Sequence, residues 1–83
     1  VTFSFPQFDQ PNALDSDRTW VAVYDSYDQR NDDAYYVVIV REGDREAARF
    51  TTKIALWWAG DDWTDAQFIT RLRGELHAMA SKA

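Results

Sequence analysis

The sequence predicts an α+β domain, a four-stranded antiparallel β-sheet (a meander) packed on one face by a C-terminal α-helix in the order β-β-β-β-α. Three observations carry this expectation. Four stretches rich in Val, Ile and aromatic residues are separated by segments of Asp, Asn, Gly and Pro, the turn-forming residues. From Thr64 onward the apolar residues recur at three- and four-residue spacing, the period of a helix. The chain has 83 residues, of which 46% are hydrophobic and 16% aromatic, enough large side chains for one dense core in a single domain spanning 1–83.

The elements follow in order. Val1 to Phe5 alternates apolar and polar residues and stops at Pro6, the pattern of a short edge strand. Asp9 to Asp17 is turn chemistry. Arg18 to Asp25 is a strand with Val21 and Val23 on one side and Trp20, Ala22 and Tyr24 on the other. Ser26 to Asp33 is a polar loop. Ala34 to Glu42 is apolar on both faces, as a central strand is. Gly43-Asp44 makes a tight hairpin turn. Ala47 to Trp58 is the longest strand, with Phe50, Ile54, Leu56 and Trp58 on one face and Arg49, Thr51, Lys53, Ala55 and Trp57 on the other; its β-branched residues favour strand over helix.

The helix carries its own start signal. Thr64 and Gln67 have the spacing of a capping box, and Trp63 is placed to pack on Phe68 as a hydrophobic staple. Asp61, Asp62 and Asp65 put negative charge where the helix dipole favours it. Ile69, Leu72, Leu76 and Met79, flanked by Ala66, Phe68 and Ala80, form the apolar stripe, and Lys82 lies near the C-terminal end.

Composition narrows the function classes. The formal charge is −5, with eleven Asp among fourteen acidic residues and seven Arg but two Lys among the basic ones. A net negative chain is repelled by phosphate backbones and anionic lipid, which disfavours nucleic acid and membrane surfaces as partners. There is no cysteine, hence no disulfide and no thiolate metal site. No signal peptide and no apolar run near the ~20 residues of a membrane span is present, so a cytoplasmic address is the expectation.

No chemistry-bearing motif stands out. Asp25, Asp28, Asp32 and Asp33 cluster around the polar loop, but Tyr27 and Gln29 occupy the alternate positions at which a calcium loop places oxygen ligands. The group reads as turn-forming carboxylates. His77, the single histidine, falls on the flank of the apolar stripe without a partner for metal binding or base catalysis and reads as a boundary surface residue. Gly-rich phosphate loops and nucleophile elbows are absent, and there are three glycines in all. One of them, Gly74, lies mid-helix at a cost of ~1 kcal/mol relative to Ala. The expectation is a non-enzymatic domain with no cofactor, no metal and no small-molecule substrate.

What is left is a question of faces. With the helix assigned to the side of Val21, Val23, Val37, Ile39, Phe50, Ile54 and Leu56, the opposite side carries Trp20, Ala22, Tyr24, Tyr36, Val38, Val40, Arg49, Thr51, Lys53 and Trp57. So apolar a face marks an interaction site. Three covers are compatible with it. A protein partner or a second copy docks there through Trp20, Tyr24, Tyr36, Arg49, Lys53 and Trp57. Alternatively, single-stranded nucleic acid stacks its bases on the rings while Arg49 and Lys53 meet phosphates. Or the chain's own N-terminal segment, or the Asp9–Asp17 loop with Leu14, folds over it as a second layer. The expected function is a protein-interaction domain acting through the face opposite the helix, as an oligomer or with a protein partner.

Overall fold

The structure, a computed structural model, describes residues 5–59 and 64–83. Strands β1 (Phe8–Ala13), β2 (Arg18–Asp28), β3 (Asp33–Glu42) and β4 (Arg45–Ala55) form one antiparallel sheet in the order β1-β2-β3-β4, and helix α1 (Asp65–Ser81) follows. This is the α+β meander closed by a C-terminal helix that the patterning predicts.

The first described strand begins later in the chain than the strand the sequence suggested. Of the strand expected over Val1 to Phe5, residues 1–4 lie outside the described residues, and the edge strand is Phe8–Ala13, within the segment read as turn. Side chains explain why these turn-forming residues extend. Phe8 is buried, with its ring centroid 6.2 Å from Trp20 and 6.0 Å from Tyr36. The Asn12 side chain donates to the Trp20 carbonyl, and the Gln7 side chain accepts the Tyr24 amide. Pro11, which lacks a ladder donor, falls where the register with β2 shifts between Phe8 and Asn12 on the sheet edge.

The hairpins tie the central strands together. Gly43 supplies the positive φ of 62° in the two-residue turn between Glu42 and Arg45. The β2–β3 hairpin reaches further than the sequence suggests: β2 runs to Asp28 and β3 starts at Asp33, so the loop expected over Ser26 to Asp33 shrinks to four residues. Asp28 organises that turn by accepting the amides of Arg30 and Asn31 and the Asn31 side chain. Tyr27 donates to Asp32, which itself takes a φ of 55°.

At the helix start, the Thr64 hydroxyl accepts the Gln67 amide at 3.2 Å and the Gln67 side chain accepts the Thr64 amide at 2.8 Å, the reciprocal bonds of a capping box. The expected Trp63 staple and the charges of Asp61 and Asp62 lie outside the described residues. Phe68, Leu72, Leu76 and Ala80 are buried, with Ile69 and Met79 half-buried beside them.

The helix covers the opposite face of the sheet from the one assigned to it. Trp20, Ala22, Tyr36, Val38 and Val40 are almost wholly buried in one cluster with Phe68, Leu72 and Leu76. A bulge accounts for the inversion. Counted outward from the Glu42↔Arg45 pair, a regular hairpin places Phe50 opposite Val37. Instead Arg41 pairs with Glu46 but Val40 pairs with Ala48, so Ala47 is an extra residue and Phe50 stands opposite Val38. One inserted residue moves every later side chain of β4 to the other face. Phe50 and Ile54 therefore join Val38, Tyr36 and Trp20, and the apolar side of β4 draws the helix to the ring-bearing face.

Candidate interaction face

The outer face of the sheet, turned away from the helix, is built from cross-strand rows. Val21, Ile39 and Arg49 form one row; Val23, Val37 and Thr51 the next; Tyr35 and Lys53 stand beside each other beyond them, and Thr19 pairs with Arg41 at the far end. Alternation along β2 and β3 puts Val21, Val23, Val37 and Ile39 together as one apolar block. Among the described residues only neighbours in the same sheet shield it: Val23 is 42% exposed, and Val21, Val37 and Ile39 are half-buried.

A basic margin runs along β4. Arg49 and Glu46 form an exposed ion pair at 2.8 Å. Its hydrogen bonds hold the Glu46 carboxyl below its ordinary range and raise the Arg49 guanidinium. Lys53 is exposed, and its charge contributes, after the Asn31 side chain and turn amides, to holding the Asp28 carboxyl below its ordinary value. At the β2 side, Asp25 is the extra residue of a second bulge between Tyr24 and Ser26 and is exposed.

The six residues expected to form the partner site divide evenly. Arg49 and Lys53 are exposed on the outer face, and Trp57, just past β4, is 79% exposed. Trp20, Tyr24 and Tyr36 are on the helix side instead. Trp20 and Tyr36 are fully buried, the Trp20 indole N–H donating to His77 Nδ1 at 3.0 Å and the Tyr36 hydroxyl to the Pro6 carbonyl at 2.8 Å. Tyr24 is half-buried under Phe5, which stacks on it at 4.8 Å with the rings 7° apart. The helix and the segment before β1 together cover the rings. The residues that replace them, Val21, Val23, Val37 and Ile39, were visible in the sequence as a set; the Ala47 bulge, which decides their side, has no composition signal.

The remaining candidates resolve locally. His77 is not a plain surface residue, since it accepts the Trp20 indole across the helix–sheet junction. The Asp28 and Asp32 carboxylates are engaged by the turn they form, and among the described residues no group of three His, Cys, Asp or Glu side chains is placed to hold a metal ion. No helix among the described residues is long and apolar enough to cross a membrane. No known protein family, no curated protein and no solved structure matches the chain.

Proposed function

We propose that this domain is a non-enzymatic interaction module that binds protein through the outer face of its sheet, with a second copy of the chain as the partner. The observation that supports this is the apolar block of Val21, Val23, Val37 and Ile39, left without a covering layer among the described residues in a sheet whose other face packs against α1. A two-layer domain with an apolar outer sheet face is the arrangement that a third layer completes.

Charge supports the pairing of like chains. Where the two-fold axis of a face-to-face pair runs along the strands, β4 of each copy lies over β1 of the other and β3 over β2. Lys53, and Arg49 with its Glu46 partner, then approach the exposed Asp9 and Asp25 and stay clear of their own counterparts, a charge pattern that favours this pairing over like-on-like contact. Protein is favoured over single-stranded nucleic acid because Trp20, Tyr24 and Tyr36, the rings a base would stack on, are covered, while the chain carries a charge of −5.

Sedimentation equilibrium over a range of protein concentrations tests the proposal. The parent chain is expected to associate, and Ile39→Glu, which places a charge at the centre of the block, to sediment as a monomer with an unchanged far-ultraviolet circular dichroism spectrum. A parent chain that stays monomeric at the highest concentrations removes the self-association proposed here.

A further inference from the structure

A second surface, on the opposite side of the molecule, has the features of a ligand site. A groove of about 400 Å³ runs between α1 and the β1–β2 hairpin, lined by Asn12, Trp20, Thr70, Arg73, Gly74 and His77. That volume is in the range of small-molecule sites. Four of these residues come from α1 at i, i+3, i+4 and i+7, one face of the helix.

We propose that this groove binds an oxyanion, the carboxylate or phosphate of a small ligand, held by the Arg73 guanidinium, the His77 imidazole and the Thr70 hydroxyl. The polarity of His77 follows from its neighbour. An indole nitrogen only donates, so Nδ1, which accepts the Trp20 bond at 3.0 Å, carries a lone pair, and the proton of the neutral ring is on Nε2. Nε2 is therefore a donor held in a fixed orientation by a buried tryptophan. Arg73 is the second donor. Its guanidinium lies 5.7 Å from the Phe8 ring centroid, over the β1 side of the groove, and among the described residues no carboxylate is within ion-pair distance of it. Arg71, two residues before it, is by contrast paired with Glu75 at 2.9 Å. A guanidinium with both edges free takes a carboxylate or phosphate bidentately.

Gly74 points the same way. A Cβ built there meets nothing within 4 Å, so no packing contact among the described residues calls for glycine, although glycine inside a helix costs ~1 kcal/mol relative to Ala. What the missing side chain does is leave the groove open beside Arg73 and His77. The net charge of −5 opposes any anion at long range, so the binding is expected to be weak.

The test is a titration of the ¹⁵N-labelled chain with sodium benzoate and, separately, with inorganic phosphate, at constant pH and ionic strength. The Trp20 indole resonance, identified by its loss in Trp20→Phe, and the His77 imidazole resonances are followed. A saturating shift with benzoate marks a carboxylate site, and one with phosphate a phosphate site; either supports the proposal. Removing the guanidinium in Arg73→Ala is expected to weaken binding about 10-fold or more, the scale of a charge-assisted hydrogen bond. Gly74→Leu is expected to weaken it comparably by filling the groove, with a thermal midpoint no lower than the parent's. Absence of saturation with both anions, or shifts that persist unchanged in Arg73→Ala and Gly74→Leu, overturns the proposal.

Discussion

The packing of the two sheet faces is tested most directly by truncating one valine on each. Val38 and Val23 belong to neighbouring strands, and both sit mid-strand, but Val38 is 0% exposed under the helix and Val23 is 42% exposed on the outer face. Val38→Ala deletes two buried methyl groups between Ala22 and Phe50. At ~0.8 kcal/mol of transfer free energy per carbon, plus the cavity left behind, the expected loss is about 2–3 kcal/mol. At Val23 the same truncation removes atoms already in partial contact with water and leaves no enclosed cavity, so about 0.5–1 kcal/mol is expected. An unfolding entropy of ~2.1 cal/mol/K per residue makes 1 kcal/mol worth roughly 6 °C in a chain of this length. Val38→Ala should then lower the thermal midpoint by about 12–17 °C and Val23→Ala by about 3–6 °C. Urea unfolding of dilute protein should give the same order with unchanged slopes. Equal losses, or a larger loss for Val23→Ala, would refute the placement of Trp20, Val38 and Tyr36 beneath the helix.

Two further outcomes follow from single side chains. Burial, with a smaller contribution from neighbouring Tyr24, raises the Tyr36 phenol far above its ordinary value of 10.0, so its stabilising contribution is complete below pH 10.0 and declines as the pH climbs towards the folded value. Alkaline denaturation should therefore show a loss of up to ~1.4 kcal/mol per pH unit from this residue. Tyr36→Phe should be about 1 kcal/mol less stable at neutral pH, for want of the Pro6 bond, yet decline less steeply above pH 10.0; parallel curves would contradict this. Thr64→Ala removes half of the capping box and should lower stability by about 1 kcal/mol in urea melts, while an unchanged midpoint would show that the cap is redundant.

The parts of this fold legible in the sequence are those set by local chemistry. The Thr64–Gln67 box, the helical stripe and the Gly43-Asp44 turn depend on residues within a few positions of one another, and each is found where the residues put it. The parts that were not legible depend on partners distant in the chain. Asp9, Gln10 and Pro11 have the chemistry of a turn, and they extend because Phe8 is inserted beside Trp20 and Tyr36 and Asn12 bonds back to β2. His77 was read as lacking a partner because its partner is 57 residues away. Of the proposed site, the charged half, Arg49 and Lys53, was legible because alternation within β4 suffices to place them together. The apolar half was not, because it required the register between β3 and β4.

That register also bears on why the outer face is apolar at all. β3 carries Tyr36, Val38 and Val40 on one side and Tyr35, Val37 and Ile39 on the other, so its pattern alone cannot say which side the helix takes. β4 can, because its two sides differ: Phe50 and Ile54 against Arg49, Thr51 and Lys53. The bulge at Ala47 aligns the apolar side of β4 with Val38 and Trp20, and with that the helix side is decided. Had β4 been apolar on both sides like β3, the helix would have had two equivalent faces and the chain two competing folds. β3 and β2 lack the polar alternation common in an antiparallel sheet with one face in water. They retain Val21, Val23, Val37 and Ile39 in register across both strands, which is the composition of a strand pair covered on both sides. Helix α1 provides one cover. The other is the role assigned here to a second copy of the chain, centred on Ile39 and bounded by Arg49 and Lys53.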